Sequence, residues 1–448
     1  MNELETATRI AAQARNGEQI EAFVTRSRDT EIRVFGGEVE SLSVAEVAGV
    51  GVRVIAGHRQ GFAFAGSIDA DVVDETLAEA RDNASFGAAD DAFGLAGPDD
   101  AASAAPAELD LWREDLACVP ADRKVALVLE LESATKSADA RIRGVESADY
   151  GDSAIEVAVA SSTGVQASWR RTMCSIYSSA LAGAADETQT GYGFSVGRTI
   201  GDLDVEQAAR DAAERATRLL GARQPASARL PVVLDPMVTR SVLSLVGAAL
   251  SGEALLKGRS MFVDRAGEQV AADAVTIVDD PTIAESLGAS PRDSEGVPTR
   301  RTELVSSGTL VGFLHNVYTA RRSGVRTTGS AVRGFKATPG VGARALHLVP
   351  GSATPDELVD RCPEALYVQS VSGLHSGTNI VSGDFSVGAE GLMIRDGAFA
   401  EPVREITIAS TLQRMLLDVA AVGNDLTWLP GGAAGATVLI GDMTMSGS

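Results

Sequence analysis

Metal chemistry needs ligands that converge, and the residues able to supply them are sparse in this chain. The four histidines, His58, His315, His347 and His375, stand far apart, and none belongs to an H-E-x-x-H helix pattern. The three cysteines, Cys118, Cys174 and Cys362, include no C-x-x-C pair. Neither a zinc site of ordinary spacing nor a disulfide framework is therefore expected. His347, Cys362 and His375 become a ligand set only if the fold converges them, and their spacing favours ordinary surface or core roles. Nucleophile patterns lead no further. Gly193-Phe194-Ser195-Val196-Gly197 fits G-x-S-x-G, but that elbow requires a strand turning directly into a helix, and the sequence here continues as strand. Ser133-Ala134-Thr135-Lys136 fits S-x-x-K without its companion motifs. The acidic pairs, Asp279-Asp280 and Asp293 with Glu295, adjoin Pro281 and Gly296 and read as turn residues.

The elements that must position these residues follow from apolar spacing. An extended apolar run at 230–234 meets Asp235-Pro236, an N-cap residue followed by the residue best tolerated in a first helical turn. Val238, Val242, Leu243, Leu245, Val246, Ala249 and Leu250 then cover nearly every face, which predicts a helix buried within a domain and ending by Gly252 or Gly258. Upstream, the pattern predicts a helix over 3–14 and extended segments over 21–28, 30–44 and 49–64, with hairpin turns at Gly36-Gly37 and at 57–60. It continues with a helix over 69–83, a helix over 121–137, strands over 140–149, 153–161, 166–182 and 187–200, and a helix over 204–220 stopped by Gly221. The expectation is an α+β fold. A first α+β domain spans 1–86, a linker rich in Ala, Asp and Gly spans 87–108, and a strand-rich region packed with the first spans 109–224. A β-rich C-terminal domain holding the buried helix fills 225–448.

A formal charge of −22 repels phosphate backbones and anionic lipid headgroups, so direct nucleic-acid and membrane-surface binding are excluded as primary roles. The densest basic stretch, Arg321, Arg322, Arg326, Arg333 and Lys336, is spread among Gly, Ser and Thr and reads as a solvated loop. Free thiols, a polar N-terminus and the lack of an apolar run of membrane-spanning length point to the cytoplasm.

Several blocks in order carry a family resemblance. They are Leu250-Ser251-Gly252-Glu253, Val278-Asp279-Asp280, the run from Asp293-Ser294-Glu295-Gly296 to Arg300-Arg301, the 308–314 run followed by Thr319-Ala320-Arg321, the 380–386 block, the 405–409 block and the 422–426 block. Together they resemble the TldD/PmbA family of peptidases. In catalytic members the buried helix carries H-E-x-x-x-H, and counting back from Leu250 those positions fall on Leu243, Ser244 and Ala248. A further family ligand, a cysteine after the Gly-Asn-Asp block, falls near Gly435, and no cysteine follows Cys362. The chain thus resembles the PmbA (TldE) branch. That resemblance implies no metal and no catalytic residue here, a TldD-type catalytic subunit that holds zinc, and an extended peptide as substrate. Arg300, Arg301, His315 and His375 lie in or beside the family blocks and are the candidates for lining a cleft, with scaffold roles as the alternative. Two other readings stay open: a homodimeric peptide-binding or scaffold protein without a catalytic partner, and an independent hydrolase with an unrecognised site.

Overall fold

The computed structural model describes residues 2–184 and 187–448. Helix α1 (Glu3–Ala11) starts at Asn2, whose side chain accepts from the Glu5 amide. It leads into a meander of β1 (Glu18–Phe35), β2 (Glu38–Ala56) and β3 (Arg59–Ala65), covered by α2 (Ala70–Phe86). Short helices α3 (Pro98–Ala101) and α4 (Glu114–Cys118) precede α5 (Ala121–Ser137). Strands β4 (Ile142–Ser161), β5 (Gln166–Ala184) and β6 (Glu187–Gly197) and helix α6 (Val205–Thr217) complete this half. All six strands form one antiparallel sheet in the order β3-β2-β1-β4-β5-β6.

Two predicted breaks are absent. β1 runs unbroken through Asp29 and β4 through Gly151-Asp152, because the Asp29 carboxylate lies within the ladder and accepts from the hydroxyls of Ser27 and Ser153 at 2.9 and 2.5 Å. The first and central regions therefore share a single sheet through the β1–β4 pairing. Segment 87–108 is anchored at its middle. Leu95 and Ala96 are buried, the Leu95 amide donates to Gln19, and the Leu95 carbonyl accepts from Arg321 at 2.8 Å.

The helices lie on one face of this sheet. Ile10, Leu77 and Ala80 meet Val24, Val50, Val52 and Val54 at one end, while Val128, Leu131 and Ala208 meet Ile32, Val34 and Ile176 at the other. The approach of α6 is close enough to require glycine. A Cβ on Gly193 would lie 2.0 Å from the Ala208 carbonyl oxygen, and one on Gly191 2.1 Å from the Ala216 nitrogen. The G-x-S-x-G match is therefore partly a packing device, and Ser195 sits within β6 accepting a hydrogen bond from the Asp204 amide.

The C-terminal half opens with β7 (Ala228–Leu234), α7 (Pro236–Ala249) and α8 (Gly252–Leu256). Strands Ala398–Thr411, Asp384–Arg395 and Glu364–Ser372, then β7, then Val438–Ser446 lie side by side, and the last pairs back onto the first to close a barrel. Only the pairing of Glu364–Ser372 with β7 is parallel. Against the barrel lies a four-stranded sheet containing Ile277–Asp279 and Leu346–Leu348, and helix α9 (Val317–Ser323) packs against α8. The largest apolar core of the molecule joins α7 to the barrel and the sheet. The fold is α+β with a β-rich C-terminal half, as the periodicities predict. Among the described residues, no helix is long and apolar enough to cross a membrane.

Candidate functional site

Helix α7 is fixed at its start by Asp235. One carboxylate oxygen accepts from the Met237 amide at 2.9 Å, and the other accepts from Arg215 of α6 and the Tyr367 hydroxyl, each at 2.7 Å. An N-cap bonded in three directions leaves the helix little rotational freedom. Its inner strip, Val238, Val242, Leu243, Val246 and Ala249, enters the apolar core. Leu243 is 3 % exposed and borders a 40 Å³ void lined by Leu234, Val246, Val275 and Met415. Burial of the helix is one-sided, however. Ser244 and Ala248 are exposed one turn apart on the outer strip, and the Ser244 hydroxyl donates to the Arg240 carbonyl at 2.9 Å.

These three positions do not fit zinc. A buried leucine and an alanine offer no lone pair, and a serine hydroxyl bonded to its own helix is a poor ligand and a poor base near neutral pH. Gly435, near which the remaining counted position falls, is packed against the first turn of the same helix, where an added Cβ would lie 1.8 Å from the Pro236 carbonyl oxygen. A cysteine there would require the helix start to move. Among the described residues, no group of three or more His, Cys, Asp and Glu side chains is disposed to hold a metal.

The cleft candidates fall in unlike surroundings. Arg300 donates to the Thr327 carbonyl, and the His315 carbonyl accepts from the Thr327 hydroxyl at 3.0 Å, so these two residues brace the same loop. His315 is buried, with Nδ1 3.1 Å from the Thr319 hydroxyl, and burial lowers its pKa. Arg301 is exposed and pairs with Glu303 at 3.0 Å. His375 is exposed on the short turn Leu374–Gly377.

A 690 Å³ cleft lies instead where the two halves meet, lined among others by Arg53, Phe93, Glu253, Lys257, Tyr318 and Arg322. Beside it is a buried ionic network that the sequence reading does not contain. Arg53 of β2 bonds Glu21, its register partner in β1, at 2.9 Å, and Glu295 of the C-terminal half at 2.9 Å. Arg333 closes the network onto Glu21 at 2.5 Å, and the other Glu295 oxygen accepts from the Val317 amide at the start of α9. Burial disfavours the charged forms of Glu21 and Arg53, but attraction to their partners outweighs it and holds Glu21 below the usual carboxylate range and Arg53 above the usual guanidinium one; at Arg333 burial, with the Arg53 charge, wins and lowers the pKa.

Asp293 and Glu295 do occupy a turn, as expected, but one that is fully buried, and the expectation of a solvated loop fails for the Arg333 side chain, which is buried. The turn carboxylates bind backbone amides and arginines that arrive from other segments. Asp293 accepts from the amides of Glu295, Val297 and Ala331 at 2.9 to 3.0 Å, and burial, reinforced by the Glu295 charge, pushes its pKa up to about 7. Asp279 accepts from the amides of Arg344 and Ala345, and burial pushes it up to about 6. The one available signal is the intrusion of Glu21 and Arg53 into the locally apolar runs 20–24 and 50–56, opposite each other in register.

Comparison with known proteins agrees with this architecture. Three family models match in order: PmbA/TldA metallopeptidase domain 1 over residues 20–84, the central domain over 114–220 and the C-terminal domain over 227–447. The metalloprotease PmbA of Escherichia coli O157:H7 is 27 % identical over 99 % of this chain and 96 % of its own length. A metalloprotease of Methanothermobacter thermautotrophicus is 31 % identical over 72 % of each chain. The crystal structure of TldE from Thermococcus kodakarensis superposes with a TM-score of 0.90 at 22 % identity, covering 100 % of both chains, which establishes a shared fold. With its three domains matched in order and its relatives aligned along most of their length, the chain belongs to the PmbA/TldD metallopeptidase family.

Proposed function

We propose that this chain is the non-catalytic subunit of a heterodimeric TldD/TldE-type metallopeptidase acting on short or unfolded peptides in the cytoplasm. The observation that carries the reading is the chemistry of α7. The family's ligand and base positions hold Leu243, Ser244 and Ala248, with Leu243 committed to the core and Ser244 to its own helix. Gly435, near which the further thiol would fall, has no room for a side chain. Zinc and the activation of water then belong to a TldD-type partner. The work of this subunit is to close the shared chamber and present backbone edges and side chains to an extended peptide.

The test is metal analysis and size measurement on the chain alone and after co-expression with a TldD-type chain. The expected result is a metal-free lone chain, a one-to-one complex with zinc confined to the partner, and peptide cleavage that a chelator abolishes. Stoichiometric zinc in the lone chain, or chelator-insensitive cleavage by it, would overturn the assignment.

A further inference from the structure

The face of the N-terminal sheet opposite its helices forms a second cavity against the C-terminal half, with a volume of 290 Å³. Register lays its floor out in rows. Ser27 pairs with Ile155 and Ile155 with Arg171, and one row over Thr25 pairs with Val157 and Val157 with Trp169. Arg333, Phe335 and Arg344 reach across from the C-terminal half to make the opposite wall. Gly49 makes the approach of Phe335 feasible, because a Cβ there would lie 2.5 Å from the ring. Phe335 then packs with Phe23 and Val159 beside the half-buried Val157 and Trp169, giving an aromatic and aliphatic side to the cavity.

The other side is cationic, in a chain whose net charge is −22. Among the described residues, three arginines line the cavity and no carboxylate does. Arg333 is balanced by Glu21, and the carboxylates acting on Arg344, Asp279 and Asp293, are already occupied by backbone amides. Arg171 is balanced by nothing. Among the described residues it makes no ion pair, and its one hydrogen bond is a 3.4 Å contact to the Leu287 carbonyl. Burial, with Arg344 and Arg198 adding like charge, pushes its pKa down to about 10. Arg333 Nη1 and Arg344 Nε are also buried without a hydrogen-bond partner. One unneutralised guanidinium, that of Arg171, beside unpartnered N–H groups of Arg333 and Arg344 in a partly dry cavity favours an anion that can take bidentate bonds.

We infer that this cavity binds a carboxylate flanked by an apolar side chain, as found at the C-terminal end of a peptide, with Arg171 holding the carboxylate and Trp169 and Phe335 holding the side chain. The volume suits one terminal residue rather than a folded segment. The inference deepens the peptidase reading and rests on it for the choice of a peptide as the source of the carboxylate.

The experiment is calorimetric titration of the full-length chain with three probes: an N-acetylated tripeptide ending in leucine as the free acid, the same tripeptide amidated, and inorganic phosphate. The free acid is expected to bind at least about tenfold more tightly than the other two, the discrimination of a lost charge-assisted hydrogen bond. Arg171→Gln lowers the free acid to the level of the amide, and Arg171→Lys restores part of the difference. Because Arg171 has no ion pair to lose and its charge is desolvated, neither variant is expected to lower the parent melting temperature. Trp169→Phe removes the fluorescence change that accompanies binding. Equal affinity for acid and amide, phosphate binding as tight as the acid, or no binding at all would each overturn the site. A chain that binds the acid but forms no complex with a TldD-type partner loses the subunit assignment and keeps the site. A chain that forms the zinc-dependent complex and ignores the acid loses the site alone.

Discussion

Replacing Leu243 by alanine separates packing from chemistry on α7. The side chain is 3 % exposed and stands beside a void of 40 Å³ between the helix and the barrel strands. Truncation removes its buried methyl groups from the core and opens a larger cavity continuous with that void. The walls cannot collapse into it readily, since Leu234 and Val438 belong to paired barrel strands and α7 is pinned at Asp235. Buried leucine-to-alanine changes cost about 2–5 kcal/mol, rising with the volume left empty, and the poor relaxation here places Leu243→Ala at roughly 3–5 kcal/mol on that scale. Ser244→Ala and Ala248→Ser, on the exposed strip, change stability by less than about 0.5 kcal/mol. Urea denaturation of the three variants, followed by far-ultraviolet circular dichroism, gives the values directly. Below the melting transition of the variant, peptide cleavage by the Leu243→Ala complex stays within about twofold of the parent, a change worth only about 0.4 kcal/mol of barrier. A loss of stability under about 1 kcal/mol for Leu243→Ala, set against the same scale, or a larger loss for Ser244→Ala, refutes the packing assignment.

Two further outcomes follow from the ionic network. Arg53→Met strands Glu21 and Glu295 with only Arg333 between them, and it lowers stability by on the order of 3–5 kcal/mol, the cost of removing one partner from a buried ion pair; a loss below 1 kcal/mol in urea denaturation, against that same expectation, removes the network as a tie between the halves. Asp293 has a folded-state pKa of about 7, far above the ordinary aspartate value near 3.9. The folded protein therefore holds a proton that the unfolded chain releases, so this group's contribution makes stability fall as pH rises from about 4 to about 7. Glu21, lowered by Arg333 and Arg53 against its burial, acts in the opposite sense and loses its contribution as pH falls. Asp293→Asn removes the first contribution only, so urea midpoints compared between pH 5 and pH 7.5 fall less in the variant than in the parent; identical falls refute it.

The sequence by itself determined whatever depends on local periodicity and on the chemistry of single side chains. The cap at Asp235-Pro236 and the apolar spacing that follows specify α7, the Gly36-Gly37 and Gly57 turns specify the hairpins, and the absence of lone pairs at Leu243 and Ala248 is a property of those residues in any fold. Only the tertiary structure decided where charge is buried. Glu21 and Glu295 are 274 positions apart in the chain, from 295 − 21, yet both bond Arg53. No local pattern distinguishes a turn carboxylate that faces water from one that accepts three amides and faces an arginine from another segment. The same holds for the barrel closure through Ala398–Thr411 and Val438–Ser446, and for the cavity at Arg171. Period-two alternation tells which face of a strand a residue occupies. What that face meets is fixed by long-range packing, because desolvation and Coulomb attraction act through space rather than along the chain.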